Sequence, residues 1–409
     1  MRFVIAVLWT QAALAQAPPA AWEKPLAERR WEEAEPLLKN ALETGETAPA
    51  LRGLATVYRA TGRLADADPL LGKLVGFEET VQNIEELAIV KAALGELERA
   101  EGLYRRSLEL RSQAGEDELK SIPTHQRLAQ VQLSLSRFHD AENEAEVAVV
   151  IRTRKLGADH ADSAGDFAIL ANIYQAEKKF TEAASTWDWV LRIQEAAFGI
   201  DDLRLAASLD SLSACRRELK QWRLAEAPLR RAIAIREINQ GPLHGDVAQT
   251  IDALARLLFA NKRFEEAAPL FRRSLAIWTH VLGPTNSVLA LSYDNLAVTE
   301  AALKKYDEAE KLYLEAMKLR DDDDVISLRN LALIRVAKEN YKDAEPLFKR
   351  ALAALDAPYN RSSGQLPELL GDYAAVLRQL GRPGEAAKLE ARRKALQGAV
   401  AAVTGRGDQ

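Results

Sequence analysis

The stretch "KRFEEAAPLFRRSLAI", residues 262–277, decides the fold of this chain, because near-copies of it recur along the sequence. In it an aromatic residue, Phe264, is followed by Ala267 at +3 and by Phe271 at +7. This spacing places the three apolar side chains on one face of a helix. Nine further segments share the frame, and their alanines are Ala34, Ala67, Ala100, Ala141, Ala183, Ala225, Ala309, Ala344 and Ala386.

The spacing of the ten alanines shows a regular internal repeat. From Ala34 to Ala100 they recur at one short interval, and from Ala141 to Ala309 at one longer interval. A Leu-Ala pair or a close variant, such as Leu254-Ala255, lies ten positions before the aromatic residue in eight of the segments. Each repeat is therefore predicted to contain two amphipathic helices joined by a short turn. We call them the first and second helix of the repeat.

Glycines and prolines punctuate these helices. Four glycines in the longer repeats are predicted to end the second helix, because glycine is favoured just after a helix; they are Gly157, Gly199, Gly241 and Gly283. Five prolines lie five or six positions after the first apolar residue of a second helix. We expect them near the helix start, where few amide hydrogens have an intrahelical partner; they are Pro36, Pro69, Pro228, Pro269 and Pro346.

The pattern of Leu170-Ala171, Tyr174, Ala183 and Trp187 resembles the tetratricopeptide repeat, whose usual length is close to the shorter interval. The longer interval resembles the repeats of the kinesin light chain type. The resemblance implies an all-α, right-handed α-solenoid of about ten helix-turn-helix repeats over residues 22–396, with 33-residue steps to about residue 110 and mostly 42-residue steps after it. Terminal repeats of such arrays need a capping face, which we assign to Trp22–Leu42 and Arg378–Leu396.

The resemblance also implies a function, namely a non-enzymatic scaffold that binds a protein or peptide along a concave groove lined by the first helices. In long-repeat relatives an Asn just before the Leu of the Leu-Ala pair often contacts the peptide backbone, and this chain has it only at Asn295 and Asn330. Val298 and Leu333 are also groove residues by register, because each lies two positions after the Leu of its Leu-Ala pair. By register the other groove residues are Asn172, Gln175, Asp210, Arg217, Asp252, Arg256 and Phe259.

Two features of this register admit two interpretations each. Asp210, Asp252 and Asp294 fall at the same place in consecutive repeats, so they form either a docking strip for a basic segment, with Arg217 and Arg256 setting its register, or a solvated face of locally paired carboxylates. Trp189 shares a slot with exposed arginines of other repeats. It is either an outer-face contact or a side chain packed against a neighbouring repeat.

Composition and motifs argue against nucleic-acid binding, membrane spanning and metal or cofactor chemistry. A net charge of −5 without a long basic run is atypical of nucleic-acid binding, and no apolar stretch reaches the roughly 18 residues of a transmembrane helix. The five histidines are scattered, and no metal-ligand spacing or catalytic motif occurs, so no metal or cofactor is predicted. The alternative to a binding scaffold is a structural component of an envelope complex that self-associates through its outer faces or repeat ends.

The first residues, "MRFVIAVLWTQAALAQAPP" at 1–19, have the layout of a secretory signal peptide. Arg2 precedes an apolar run, and Ala13-Leu14-Ala15 forms a small-residue cleavage site. We therefore expect residues 1–15 to be removed, residues 16–21 to form a short linker, and the mature protein to be periplasmic or extracellular. Residues 397–409 are predicted to be a disordered tail.

Overall fold

The computed structural model of the chain describes residues 20–45, 47–320, 324–356 and 365–404, with side chains up to residue 397. The predicted signal peptide, residues 16–19 of the linker and residues 405–409 of the predicted tail lie outside these ranges. The described residues form α-helices and one 3-10 helix, and no strand occurs among them. The prediction of an all-α fold is confirmed.

The chain divides into two units, and the first extends to Lys178. Its helices pack on one another in chain order, each against the one before and the one after. The helices are α1 (Glu23–Ala27), α2 (Trp31–Thr44), α3 (Ala48–Ala60), α4 (Leu64–Phe77), α5 (Val81–Ala93), α6 (Leu97–Gln113), a 3-10 helix (Glu118–Ser121), α7 (Ile122–Ser134), α8 (Phe138–Leu156) and α9 (Ser163–Ala176).

The second unit begins at Lys179 and is built in the same way. Its odd-numbered helices are the first helices of their repeats, and its even-numbered helices are the second. The helices are α10 (Phe180–Phe198), α11 (Leu205–Glu218), α12 (Trp222–Gln240), α13 (Gly245–Ala260), α14 (Phe264–Leu282), α15 (Leu289–Ala302), α16 (Tyr306–Lys318), α17 (Val325–Ala337), α18 (Tyr341–Asp356), α19 (Leu366–Gln379) and α20 (Pro383–Thr404).

The alanines that define the repeat lie in the core. All ten, from Ala34 to Ala386, have no exposed surface. Alanine has only a methyl group, so neighbouring helix backbones approach closely there, and the leucines and aromatics around it fill the remaining space. Each unit is thus a stack of helix pairs of the predicted kind, an α-solenoid of tetratricopeptide-like repeats. Its handedness stays a prediction.

A left-handed residue occupies every described turn between a first and a second helix, two positions before the second helix begins. Its φ is positive, between 56° and 81°. Glycine adopts this conformation freely, whereas other residues adopt it at a cost of about 1 kcal/mol. These turn residues are Arg29, Gly62, Gly95, Ser136, Lys178, Lys220, Lys262, Lys304, Glu339 and Gly381.

Ion pairs between second helices fasten neighbouring repeats to each other. A glutamate in the second turn of one second helix contacts the arginine that immediately precedes the next. In the pair Glu35–Arg63, Oε2 lies 2.6 Å from Nη2. The arginines are partly exposed, so each pair contributes at most about 1 kcal/mol. Three further pairs of this kind are Glu101–Arg137, Glu226–Arg263 and Glu345–Arg382.

The predicted helix-ending glycines are where the sequence places them. Gly157, Gly199, Gly241 and Gly283 directly follow α8, α10, α12 and α14, with φ between 83° and 98°. Residues with a side chain are strained in this conformation.

We expect Gly157→Ala to lower the free energy of unfolding by about 1–3 kcal/mol, because alanine is strained at this φ. The matched control is Gly165→Ala, inside α9. An added Cβ meets no atom within 4 Å at either glycine, so backbone conformation alone separates them. The control should raise stability by about 0.5 kcal/mol, because alanine favours a helix over glycine. Urea unfolding followed by circular dichroism measures both, and changes of the same sign would contradict the argument.

The prediction that the five prolines lie where an amide hydrogen is unneeded is wrong. They occupy the second turn of their helices, where the residue four positions earlier would normally accept a hydrogen bond from the missing amide. At Pro228 that acceptor is the carbonyl oxygen of Leu224, and Arg216 Nη1 of α11 donates to it at 3.1 Å. Here a side chain from the first helix replaces the lost backbone bond.

The two chain ends depart from the predicted bounds. At the N-terminal end α1 is only five residues long, and Trp22 and Leu26 lie partly buried against the cluster that contains Leu38. At the C-terminal end α20 continues to Thr404, so residues 397–404, predicted to be a disordered tail, are helical. The reason is composition, since "QGAVAAVT" at 397–404 is rich in alanine, the strongest helix former.

Candidate functional site

Most of the predicted groove residues lie beside the buried Leu-Ala positions of the first helices and are exposed or half-buried, whereas Asp294 is buried. On α13, for example, Leu254 and Ala255 are buried, whereas Arg256 is exposed and Asp252 and Phe259 are half-buried. Asn172 is exposed and Gln175 half-buried on α9 of the first unit. The remaining predicted residues belong to the second unit: Asp210 and Arg217 on α11, Asn295 and Asp294 on α15, and Asn330 on α17.

The three aspartates share one type of contact. Each carboxylate reaches across to a side chain on the second helix of its own repeat, or two residues past the end of that helix, at the same sequence separation. This contact ties the first helix to the C-terminal end of the second. The contacts are Asp210 Oδ2 to Arg236 Nη2 at 2.6 Å, Asp252 Oδ2 to Trp278 Nε1 at 3.1 Å, and Asp294 Oδ2 to Arg320 Nη1 at 2.6 Å.

Burial governs the chemistry of these carboxyls. Desolvation raises the pKa of Asp210, Asp252 and Asp294 above the ordinary aspartate value, although Arg236 and Arg320 oppose it for two of them. The second oxygen of each, Oδ1, is buried and has no hydrogen-bond partner among the described residues. A ligand in the groove has little carboxylate surface to contact. The row is not the uncompensated acidic line that register alone predicts, because two arginines lie within it.

Arg217 and Arg256, which are predicted to set the register of a docked segment, differ in their contacts, and Phe259 packs on a neighbouring ring. Arg217 pairs with the adjacent Glu218, with Nη2 2.8 Å from Oε1. Arg256 is exposed and makes no ion pair within the described part of the chain. Phe259 lies edge-on against Phe264 with ring centroids 5.1 Å apart, so it closes the turn between α13 and α14.

Trp189, the predicted outer-face contact, is half-buried on α10. The guanidinium of Arg192 lies 4.3 Å from its ring centroid. A cation over an indole face is attracted by the negative charge of the π system. Part of the ring surface that a partner would need is therefore covered from within the same helix.

The two asparagines lie in a pattern that occurs on both α15 and α17. Asn295 and Asn330 are half-buried, and their side-chain amides make no hydrogen bond within the described ranges. Four positions before each asparagine is an exposed aliphatic side chain, and three positions after it is a half-buried one. The exposed aliphatics are Leu291, 59% exposed, and Ile326, 47% exposed; the half-buried ones are Val298 and Leu333.

We name these six residues the aliphatic–asparagine surface. Its two halves adjoin, because Val298 of α15 packs against the cluster that contains Leu331 and Ile334 of α17. Leu291 and Ile326 are additions to the residues that sequence reasoning selected. The sequence alone does not select them, although both are larger aliphatics at a register where α11 has Ala207 and α13 has Gln249.

The charges beside this surface are already neutralised within the second unit. Arg320 pairs with Asp294 and also with Asp324, at 2.9 Å. Arg329 of α17 contacts Asp372 and Glu368 of α19 at 2.7 and 2.9 Å. The surface therefore offers apolar contact and amide hydrogen bonds without a net charge of its own.

Comparison with known proteins agrees with this architecture. The sequence model of the tetratricopeptide repeat matches residues 167–238 and 246–322, and a second model of the same repeat matches residues 327–361. The chain contains tetratricopeptide repeats. Its repeats support a scaffold for protein–protein interaction, and no curated protein matches the chain.

Three of the solved structures that are similar to this chain come from different organisms. A putative kinesin light chain with nearly identical TPR-like repeats, from Podosopora anserina, is 22% identical over 50% of this chain and 98% of that one, with a TM-score of 0.46. BtubC (BKLC) from P. vanneervenii is 20% identical over 58% and 92%, with a TM-score of 0.44. Pseudomonas aeruginosa pilF is 17% identical over 58% and 93%, with a TM-score of 0.41.

Two further findings concern the described residues of the repeat protein. None of their helices combines the length and the apolar character needed to cross a membrane. Within the same ranges, no group of three or more His, Cys, Asp or Glu side chains is arranged to hold a metal ion.

Proposed function

We propose that this repeat protein binds an extended, uncharged peptide segment of a partner protein on the aliphatic–asparagine surface. The observation that carries the proposal is the repetition of one pattern, aliphatic–Asn–aliphatic, at the same register on α15 and α17. A side-chain amide both donates and accepts, so Asn295 and Asn330 can each hold a peptide backbone amide. Exposed aliphatic side chains that cluster on a soluble protein mark interaction sites.

The paired charges beside the aliphatic–asparagine surface favour an uncharged peptide segment. Because Asp294 and Arg329 have internal partners, a charged ligand side chain would lose its hydration there without gaining a counter-charge. A basic segment, which the aspartate register predicted, is therefore the less favourable occupant. An extended segment with aliphatic or aromatic side chains on one edge fits Leu291, Val298, Ile326 and Leu333.

The test begins with selection of peptides from a random display library on the purified chain. We expect enriched peptides to be apolar and of low charge. The affinity of one such peptide should fall at least tenfold in Asn295→Ala/Asn330→Ala, because each lost amide bond is worth about 1 kcal/mol. Fluorescence anisotropy measures the affinity, and a thermal melt checks that the variant is folded.

A matched control separates this surface from other exposed aliphatics. Leu291→Ser/Ile326→Ser should abolish binding. Leu224→Ser/Ile238→Ser removes two side chains of α12 that are 54% and 71% exposed, and should leave binding unchanged. Equal losses in both double variants, or enriched peptides that bind all variants alike, would refute the proposal.

The alternative occupant is a second copy of the chain. In that case light scattering will show a mass that rises with concentration in the wild type and falls in Leu291→Ser/Ile326→Ser. A mass that stays monomeric at high concentration excludes this alternative.

A further inference from the structure

A second groove lies in the first unit, where α5, the 3-10 helix and α7 meet. Its volume is about 620 Å³. Its lining includes Gln82 and Ile89 of α5, Lys120 of the 3-10 helix and Arg127 of α7. The groove has both charged and apolar walls, unlike the aliphatic–asparagine surface of the second unit.

Glu85, one of the acidic residues that line this groove, has several internal partners. Its Oε1 accepts hydrogen bonds from Ser107 at 2.8 Å, from Arg111 at 3.0 Å and from Thr124. Burial raises the pKa of Glu85, but these bonds outweigh it, and the pKa lies below the ordinary glutamate value. Glu85 is therefore ionised at neutral pH, with its charge already held.

The other groove carboxylates are held in the same way. Glu86 lies 3.1 Å from Arg59, and Gln82 donates to it at 3.2 Å. Glu116 lies 2.7 Å from Arg111, which is thereby shared between Glu85 and Glu116. Among the described residues, none of these acids forms an ion pair with Lys120 or Arg127.

Two cations in the groove lack such partners. Lys120 and Arg127 make no ion pair or hydrogen bond through their side chains within the ranges that the structure describes, and Arg127 is half-buried. Arg127 stands immediately before Leu128, the register at which α15 and α17 carry their asparagines. The guanidinium therefore lines the groove from a position where repeats of the second unit present an unpartnered amide.

We propose that this groove binds an extended peptide segment through a carboxylate side chain that Arg127 and Lys120 hold together, with a neighbouring aliphatic side chain of the segment against Ile89. A guanidinium and an ammonium that line the same groove can both form strong charge-assisted hydrogen bonds to a carboxylate. The groove is larger than a single inorganic anion needs, and its apolar wall favours a segment that carries both kinds of side chain. The site is separate from the aliphatic–asparagine surface and is tested separately.

The probes are two fluorescein-labelled decapeptides, one alternating aspartate with leucine and one alternating asparagine with leucine. At low salt we expect the full chain to bind the aspartate peptide at least tenfold more tightly than the asparagine peptide. Arg127→Gln and Lys120→Gln should each lower the affinity for the aspartate peptide about fivefold and leave the affinity for the asparagine peptide unchanged. The double variant should bind both peptides alike, and salt should reduce the preference in the wild type.

The controls distinguish this site from a general charge effect and from the proposed function. Arg223→Gln removes another exposed arginine without an ion pair in the described residues, on α12, and should keep the preference. Asn295→Ala/Asn330→Ala should also keep it, so failure of one proposal does not imply failure of the other. Equal affinity of the wild type for both peptides, no binding of the aspartate peptide, or a preference that survives in Arg127→Gln/Lys120→Gln would overturn the proposal.

Discussion

Phe348→Ala is expected to lower the free energy of unfolding of the C-terminal repeats by about 3–5 kcal/mol, the usual loss for a fully buried phenylalanine. Phe348 of α18 has no exposed surface. Its ring stacks on Tyr373 of α19, with centroids 5.8 Å apart and an interplanar angle of 10°. The substitution removes this stacking and leaves a cavity between two repeats.

The loss should be confined to the neighbouring helices. In a repeat protein each repeat contacts mainly its neighbours, so stability is close to a sum of local terms. Urea unfolding of the variant should therefore show an early transition from α17–α20 ahead of the main one, and amide hydrogen exchange should speed up in those helices. Phe77→Ala is the control, since Phe77 is 56% exposed on α4 and its removal leaves no cavity. A single, unshifted transition in Phe348→Ala would contradict the expectation.

Arg152→Met is expected to cost about 3 kcal/mol at neutral pH, because it leaves a buried carboxylate without its counter-charge. The carboxylate is Asp166 of α9, whose side chain has no exposed surface. Arg152 of α8 donates to it through Nε, and Gln126 of α7 donates to its other oxygen. The same substitution at Arg154, whose pair with Glu118 is about half exposed, should cost less than about 1 kcal/mol.

The cost should depend on pH in a definite direction. Burial raises the pKa of Asp166 above its ordinary value, even with Arg152 present to oppose it. Removal of Arg152 raises that pKa further, so the unfolded state loses its proton at a lower pH than the folded state. At a pH below both pKa values of Asp166 the carboxyl is neutral in each state, and the penalty vanishes. The penalty develops as the pH rises from the pKa of the unfolded state to that of the folded state, and it is complete above the latter.

Urea unfolding between pH 4 and pH 8 measures this dependence. The gap between Arg152→Met and wild type should widen with rising pH, whereas the double variant Arg152→Met/Asp166→Asn should differ from Asp166→Asn by a constant amount. If the first gap is the same at every pH, Asp166 is not the group responsible.

The sequence predicts the register of this fold well and its side-chain partners poorly. The alanine spacing identifies ten fully buried positions, because a methyl group at a helix crossing leaves a strong periodic signal. The partners of Asp210, Asp252 and Asp294 escape the same reasoning. They are distant in sequence, and only the packing of two helices brings Arg236, Trp278 and Arg320 to them.

In the candidate site, too, some residues follow from the sequence register and others only from the structure. Asn295 and Asn330 follow from register, since each precedes the Leu of its repeat. Leu291 and Ile326 do not, because a leucine in an amphipathic helix is ordinarily a core residue, and only the observed exposure separates these two from the core. The unpartnered state of Arg127 likewise depends on which acids other cations already hold.

The turns between first and second helices bear on how such a chain changes length. Lys220, Lys262 and Lys304 adopt φ values of 57°, 59° and 61°, so three consecutive turns have nearly the same backbone. Loss or duplication of the segment between two of them would rejoin the chain at an equivalent turn, with equivalent buried alanines on either side. Duplication or deletion of one repeat in the gene can therefore lengthen or shorten the array, without a new loop having to arise.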